Sequence, residues 1–243
     1  MMLEEDNEKE RKGKLIVLEG TDGAGKATQA DLLIRKFESQ GFKTGFLDFP
    51  QYGKNVFADT VSAYLRSEFG EAVELNPYLS SLAYSADRWK ASLEFKKDLE
   101  EGKIIISNRY TSASMGHQGS KFSDKEELRK YISWLKEIEF GESGFGIPEP
   151  DATVLLYLKP EIAQKMVEKK RERIYLQGKK LDAHESNIEH LQKSAETFLQ
   201  VAKNEGWKII DCTDYEKNEI LPAEKIHDKI WDEVRGILEE REQ

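Results

Sequence analysis

Gly20-Thr21-Asp22-Gly23-Ala24-Gly25-Lys26-Ala27 comes within one residue of the spacing G-x-x-x-x-G-K-[ST]. That spacing is a device for holding polyphosphate. Glycines let backbone N–H groups turn inward around the phosphates, the lysine reaches the β- and γ-phosphates, and a terminal hydroxyl ligates Mg²⁺. Gly20, Gly23, Gly25 and Lys26 are in place, while Ala27 stands where the hydroxyl belongs. The loop predicts a nucleotide site bordered by Gly20, Asp22, Gly23, Ala24, Gly25, Lys26, Ala27 and Thr28, and leaves the anchorage of the metal open. A glycine-rich surface turn would read similarly, so the flanking elements decide.

Lys14 to Leu18 is a short apolar, β-rich run suited to a buried parallel strand. After the loop, Ala30, Leu32, Leu33, Ile34 and Phe37 have helical spacing and Gly41 is placed to end the helix. Strand, loop and helix in that order bring the positive end of the helix to the phosphates. Further strands are expected at Thr44–Phe49, Ile104–Ser107, Thr153–Leu158 and Lys208–Cys212. Helices are expected at Ala27–Gln40, Val56–Ser67, Pro77–Glu100, Asp124–Phe140, Glu161–Arg173, Asn187–Asn204 and Pro222–Glu240. This alternation implies an α/β fold with a five-stranded parallel sheet covered by helices on both faces. Ligands of such sheets bind beyond the carboxyl ends of the strands, so the residues that follow each strand are the ones to inspect.

Phe49-Pro50-Gln51-Tyr52-Gly53 follows the second strand as a stiff aromatic turn, either a packed loop or the wall of an acceptor site. Tyr84 and Arg88 share one helix face, where they form an ordinary pair or a platform that stacks a base and bonds its edge. Asn108-Arg109-Tyr110 follows the third strand, and Arg109 there is a surface ion-pair partner or a phosphate clamp. Seven cations crowd Lys165 to Lys180 in an otherwise acidic chain, as a solvated helix face or as a mobile lid over about residues 165–185. Asp182 and Glu185 follow and could bind metal, position lid arginines or cap the next helix.

The chain has 243 residues, enough for one α/β domain, and a net charge of −9 that speaks against a broad nucleic-acid footprint. Residues 1–12 are charged and are expected to form a disordered tail, with a single domain over 13–243. A lone cysteine, Cys212, suits a reducing compartment, and no apolar run reaches membrane-span length. A cytoplasmic protein that binds neither nucleic acid nor membrane is the expectation.

Together these segments resemble the thymidylate kinase family of phosphate-loop nucleoside monophosphate kinases over roughly Gly13 to Ile237. The motifs that carry the likeness are Leu18 to Lys26, Phe49 to Gly53, Tyr84-Ser85-Ala86-Asp87-Arg88-Trp89, Asn108-Arg109-Tyr110 and Phe145 to Asp151, in the family's order. The resemblance implies a three-layer kinase fold with a short basic lid and ATP-dependent phosphorylation of dTMP, with Mg²⁺. It implies Tyr84 stacking on thymine, Arg88 bonding a thymine carbonyl, Arg109 holding the acceptor phosphate and Tyr52 beneath the deoxyribose. Phe49, Ser114 and Gln118 fall with the dTMP site, and Asp22 with the acceptor sugar or the metal shell. Lys26 and Arg109 are the catalytic cations, joined by Arg171 or Arg173 from the lid. Asp22 and Glu185 are the metal candidates, Thr213 borders adenine, and a homodimer is implied.

Three positions depart from the family pattern. Ala27 replaces the loop hydroxyl, Asn108 replaces an aspartate, and Gln51 stands where many relatives carry arginine. The first two touch the usual magnesium anchorage and should cost rate more than nucleotide binding. They leave two alternatives beside dTMP kinase, a nucleotide-binding protein with weakened catalysis and a kinase for another pyrimidine deoxynucleotide.

Overall fold

The computed structural model describes residues 13–70, 74–175 and 188–239, with side chains described except at 170–175, 188–190 and 238–239. Its main sheet is built from β1 (Lys14–Glu19), β2 (Thr44–Asp48), β3 (Ile104–Asn108), β4 (Ala152–Tyr157) and β5 (Lys208–Asp211). All neighbours are parallel, in the order β2-β3-β1-β4-β5. Strand β1 therefore lies at the centre, beside the strand that ends in Asn108, with Leu18 level with Asn108 and Asp48 level with Asn108 on the far side.

Side-chain parity along the strands builds two cores. Ile16, Leu18, Ile104 and Ile106 face one side, against Ala30, Leu33 and Phe37 of α1 (Lys26–Ser39) and Ile226, Ile230 and Val234 of α8 (Ala223–Val234). Leu15, Val17 and Ile105 face the other, against Ala91, Phe95 and Leu99 of α3 (Pro77–Glu100). Both faces being covered explains why the strands read as apolar runs without alternation. The remaining helices are α2 (Val56–Leu65), α4 (Thr111–His117), α5 (Lys125–Phe140), α6 (Pro160–Tyr175), α7 (Ile188–Glu205) and α9 (Gly236–Glu239).

The expected strands and helices are all present, most with ends shifted by one or two residues. The differences are α4, a 3₁₀ turn at Gly119–Lys121, a break at Arg235 that separates α8 from α9, and a small antiparallel hairpin, β6 (Thr213–Asp214) with β7 (Glu219–Ile220). Helix α4 sits tight against α7: a Cβ built on Gly116 falls 2.1 Å from the Phe198 ring. Alanine generally favours a helix over glycine by about 1 kcal/mol, yet overpacking should win here. Gly116→Ala is expected to destabilise by about 1–3 kcal/mol, lowering Tm by roughly 3–10 °C. Circular-dichroism melts measure this, and a raised Tm would show that the α4–α7 contact is looser than described.

Candidate active site

The phosphate loop is the turn between β1 and α1, and its glycines are required by two separate constraints. Gly20 (φ 143°) and Gly23 (φ 87°) lie where L side chains are strained. A Cβ on Gly20 would also fall 2.4 Å from the Leu156 carbonyl oxygen of β4, and one on Gly23 2.6 Å from that of Ala163 in α6. The loop is thus packed between β4 and α6. No side chain caps the start of α1, and its first turn carries no acid, which leaves its N–H groups for an anionic ligand. Ala27 and Thr28 are exposed there.

The Lys26 amine is buried and donates to the carbonyls of Gly20 (2.8 Å) and Thr21 (3.0 Å), 3.8 Å from the Asp22 carboxylate. Across the cleft, Arg109 follows β3 with φ 69°, a conformation uncommon for a non-glycine residue. Two bonds hold its backbone there: its N–H donates to the Leu18 carbonyl and its carbonyl accepts from the Ser107 hydroxyl. Such a held, strained residue is a marker of function. The guanidinium donates to Asp22 and lies 3.0 Å from His117 Nε2. Burial pushes the Asp22 carboxyl up, but Arg109, Lys26 and His117 pull it further the other way, so it stays well below the usual carboxylate range. Burial lowers the Arg109 pKa and Asp22 and Glu19 more than reverse this.

The turn after β2 is fixed from α3. Asp87, buried, accepts from the backbone N–H of Gln51 and from the Asn55 side chain, and Asn55 in turn caps α2. The turn Phe49 to Gly53, with a cis Phe49–Pro50 peptide, is thereby tied to the helix that carries Tyr84 and Arg88. Phe49 is buried and Tyr52 is 53 % exposed. Tyr84 packs edge-on to Tyr64 at 6.1 Å. Burial raises its hydroxyl pKa, Tyr64 and Tyr52 add to the rise, and Arg109 and Arg88 oppose it. Ser114 accepts from Arg88, and Gln118 bonds Ser80 and Tyr64.

The structure therefore brings Lys26, Asp22 and Arg109 together, and separately joins Arg88 to Ser114 and packs Tyr84 against Tyr64. Thr213 is buried at the start of the β6–β7 hairpin, which approaches Gly25 through Ile220. Arg171 and Arg173 lie on the backbone of α6 with side chains outside the described residues, as does Glu185 altogether.

Three further residues join the site beside the candidates named from the sequence. Glu19 is buried, accepts from the Gly20 N–H (2.9 Å) and the Ser112 hydroxyl (2.7 Å), and so ties α4 to the loop. Burial raises its pKa, and Arg109 and Lys26 offset only part of the rise. His117 and Glu139 are the others, and a signal existed for Glu139: it occupies the apolar stripe of α5 with Leu128, Tyr131, Ile132 and Leu135.

Do these residues fit a resident Mg²⁺? Ala27 offers a methyl group, Asp22 is engaged by Arg109, and among the described residues no three His, Cys, Asp or Glu side chains form a metal-binding group. The donors described do not make a cation site by themselves.

A parallel sheet with a lysine-bearing phosphate loop after its central strand and an arginine facing it from the next strand defines a phosphate-loop α/β kinase. A family model for thymidylate kinase matches residues 18–221. The thymidylate kinase of Schizosaccharomyces pombe is 31% identical, covering 94% of this chain and 95% of that protein. That of Mycobacterium tuberculosis is 28% identical over 79% of this chain and 87% of its own, and the human one 26% over 84% of each. A solved structure of the Candida albicans thymidylate kinase superposes with a TM-score of 0.66 at 22% identity, covering 93% and 92% of the two chains. The chain belongs to the thymidylate kinase family. Among the described residues no helix is long and apolar enough to cross a membrane.

Proposed function

We propose that this protein transfers the γ-phosphoryl group of ATP to the 5′-phosphate of dTMP, giving dTDP for deoxynucleotide supply. One observation carries the reading: Lys26 from the ATP side and Arg109 from the acceptor side converge on the same carboxylate, Asp22. Phosphoryl transfer needs cations on both partners in line, and little covalent help from the protein. In this reading Lys26 leaves the loop carbonyls for the β- and γ-phosphates. Arg109 exchanges Asp22 for the dTMP phosphate, Tyr84 stacks on the base, and Thr213 borders adenine. Mg²⁺ enters with ATP as part of the substrate, since the phosphates and water can fill most of its shell.

The basic segment about 165–185 is the proposed lid, with Arg171 or Arg173 as its cation. The packing of Ala163 and Met166 against Gly23 supports this, because it sets the first turns of α6 against the phosphate loop. A homodimer is also proposed, with Val56, Leu79, Leu82 and Leu93 on α2 and α3 as exposed apolar surface for it. Sedimentation of the full chain measures its mass. The cytoplasm is the proposed setting, consistent with the buried free thiol of Cys212.

The test is ADP release with dTMP, dUMP, dCMP, dGMP and UMP across Mg²⁺ and Mn²⁺ concentrations. Turnover that depends on dTMP and is highest for it is expected. ATP and dTMP binding without turnover would reject the reading. Ala27→Ser, which restores a hydroxyl at the exposed start of α1, is expected to lower the Mg²⁺ concentration for half-maximal turnover by about tenfold. An unchanged Mg²⁺ titration would mean that another group supplies that ligand.

A further inference from the structure

Arg88 and Arg109 differ in their partners. Arg109 is 20 % exposed and pairs with the carboxylate of Asp22, itself 31 % exposed. Arg88 is 1 % exposed, and Glu139 of α5, 51 residues away in sequence, is 0 % exposed. The Glu139 carboxylate accepts from Arg88 Nε (2.8 Å) and Nη2 (2.5 Å), from Ser85 (2.7 Å) and from Thr111 (2.5 Å). Arg88 Nη2 also donates to the Ser114 hydroxyl (3.0 Å) and Nη1 to the Tyr110 carbonyl (3.3 Å). Of the five N–H groups of a guanidinium, four are thus committed, and one on Nη1 has no partner among the described residues.

We propose that Glu139 is a positioning residue for acceptor selectivity: it fixes the Arg88 guanidinium so that a single N–H, and no acceptor, meets the edge of the nucleobase. The proposal rests on the reading of Arg88 as a base contact. Stability alone does not require the pair, because buried ion pairs are commonly replaced by apolar side chains without loss. Charge points the same way. Glu139 neutralises Arg88, which suits an uncharged base edge, whereas Arg109 can trade its exposed partner for a phosphate. A fixed donor rewards a carbonyl at the 4-position of a pyrimidine and faces an amino group with a second donor. The unmatched pair, closed off from water, costs about 1–3 kcal/mol, or roughly 5–150-fold in selectivity. An arginine free to swing would relax that penalty.

The experiment measures kcat/KM for dTMP and dCMP, with KM for ATP, in wild type, Glu139→Gln, Arg88→Leu, Glu139→Leu and the Arg88→Leu/Glu139→Leu double variant. Melting curves establish which variants are folded. Glu139→Gln is expected to raise the dTMP KM at least about tenfold, leave the ATP KM within about threefold, and cut the dTMP-to-dCMP preference about tenfold. Glu139→Asp should restore part of that preference. In the Arg88→Leu background, Glu139→Leu should change the preference no further. The double variant removes the pair together, so the cycle remains readable if Glu139→Gln does not fold. An unchanged preference in folded Glu139→Gln, or additive effects in the cycle, overturns the assignment. Absence of dTMP-dependent turnover in the wild type overturns instead the kinase reading beneath it.

Discussion

Lys26→Ala is expected to lower kcat by about 10²–10³-fold while the chain still folds. The amine is buried and donates to carbonyls of its own loop, Gly20 and Thr21. Those carbonyls hold the lysine within the phosphate loop, from which, on the proposed reading, it moves to the β- and γ-phosphates. Removing the amine leaves them without that donor, at about 1–3 kcal/mol if water cannot reach them. Thermal melts separate that loss from the kinetic one. Arginine is not expected to rescue, because a planar guanidinium does not fit the space of a compact ammonium. Steady-state ADP release at saturating dTMP is the measurement. A loss under tenfold would show that charge at the transferring phosphate is neutralised elsewhere.

The second large effect is expected at Arg109. Arg109→Ala should raise the dTMP KM by about 10²-fold, the worth of one or two charge-assisted bonds to phosphate, with the ATP KM within about threefold. Equal losses for both substrates would reject the acceptor role. The variant also carries a pH signature. Asp22 has a folded pKa depressed by Arg109, Lys26 and His117 against the pull of burial. A depressed carboxyl adds stability that is present above its unfolded pKa, about 3.9, and is lost as pH falls through the folded value. The stability gap between wild type and Arg109→Ala should therefore be widest above about pH 4 and shrink towards pH 2–3. Melting curves over that range read it directly, and a gap independent of pH would mean that Asp22 does not feel Arg109.

The sequence located the loop, the sheet and most helices because each leaves a local pattern. Apolar runs such as Leu15–Leu18 have no other stable placement than a strand covered on both sides. Helix α3 was legible to the residue, since Asn76 caps it, Pro77 opens it and Gly102 follows its end. Helix α4 was not, because Thr111–His117 is short and mostly small or polar, and its burial against α7 is decided by Phe198. The β6–β7 hairpin has two-residue strands, too short to show a period.

The same division runs through the site. Sequence alone marked candidates for holding phosphate and for reading a base, because candidacy depends on side-chain chemistry and on backbone turns a few residues long. Only the tertiary structure decided what each of those groups is bonded to. Asp22 meets Arg109 across 87 residues, and Arg88 meets Glu139 across 51. Two arginines alike in sequence thus differ in the structure: Arg109 is partly exposed on a partly exposed carboxylate, and Arg88 is buried on a buried one. The reason is physical: a guanidinium's role is set by how many of its N–H groups are already satisfied and by how much water reaches it. Both follow from the packing of α3, α4 and α5 and from no spacing along the chain.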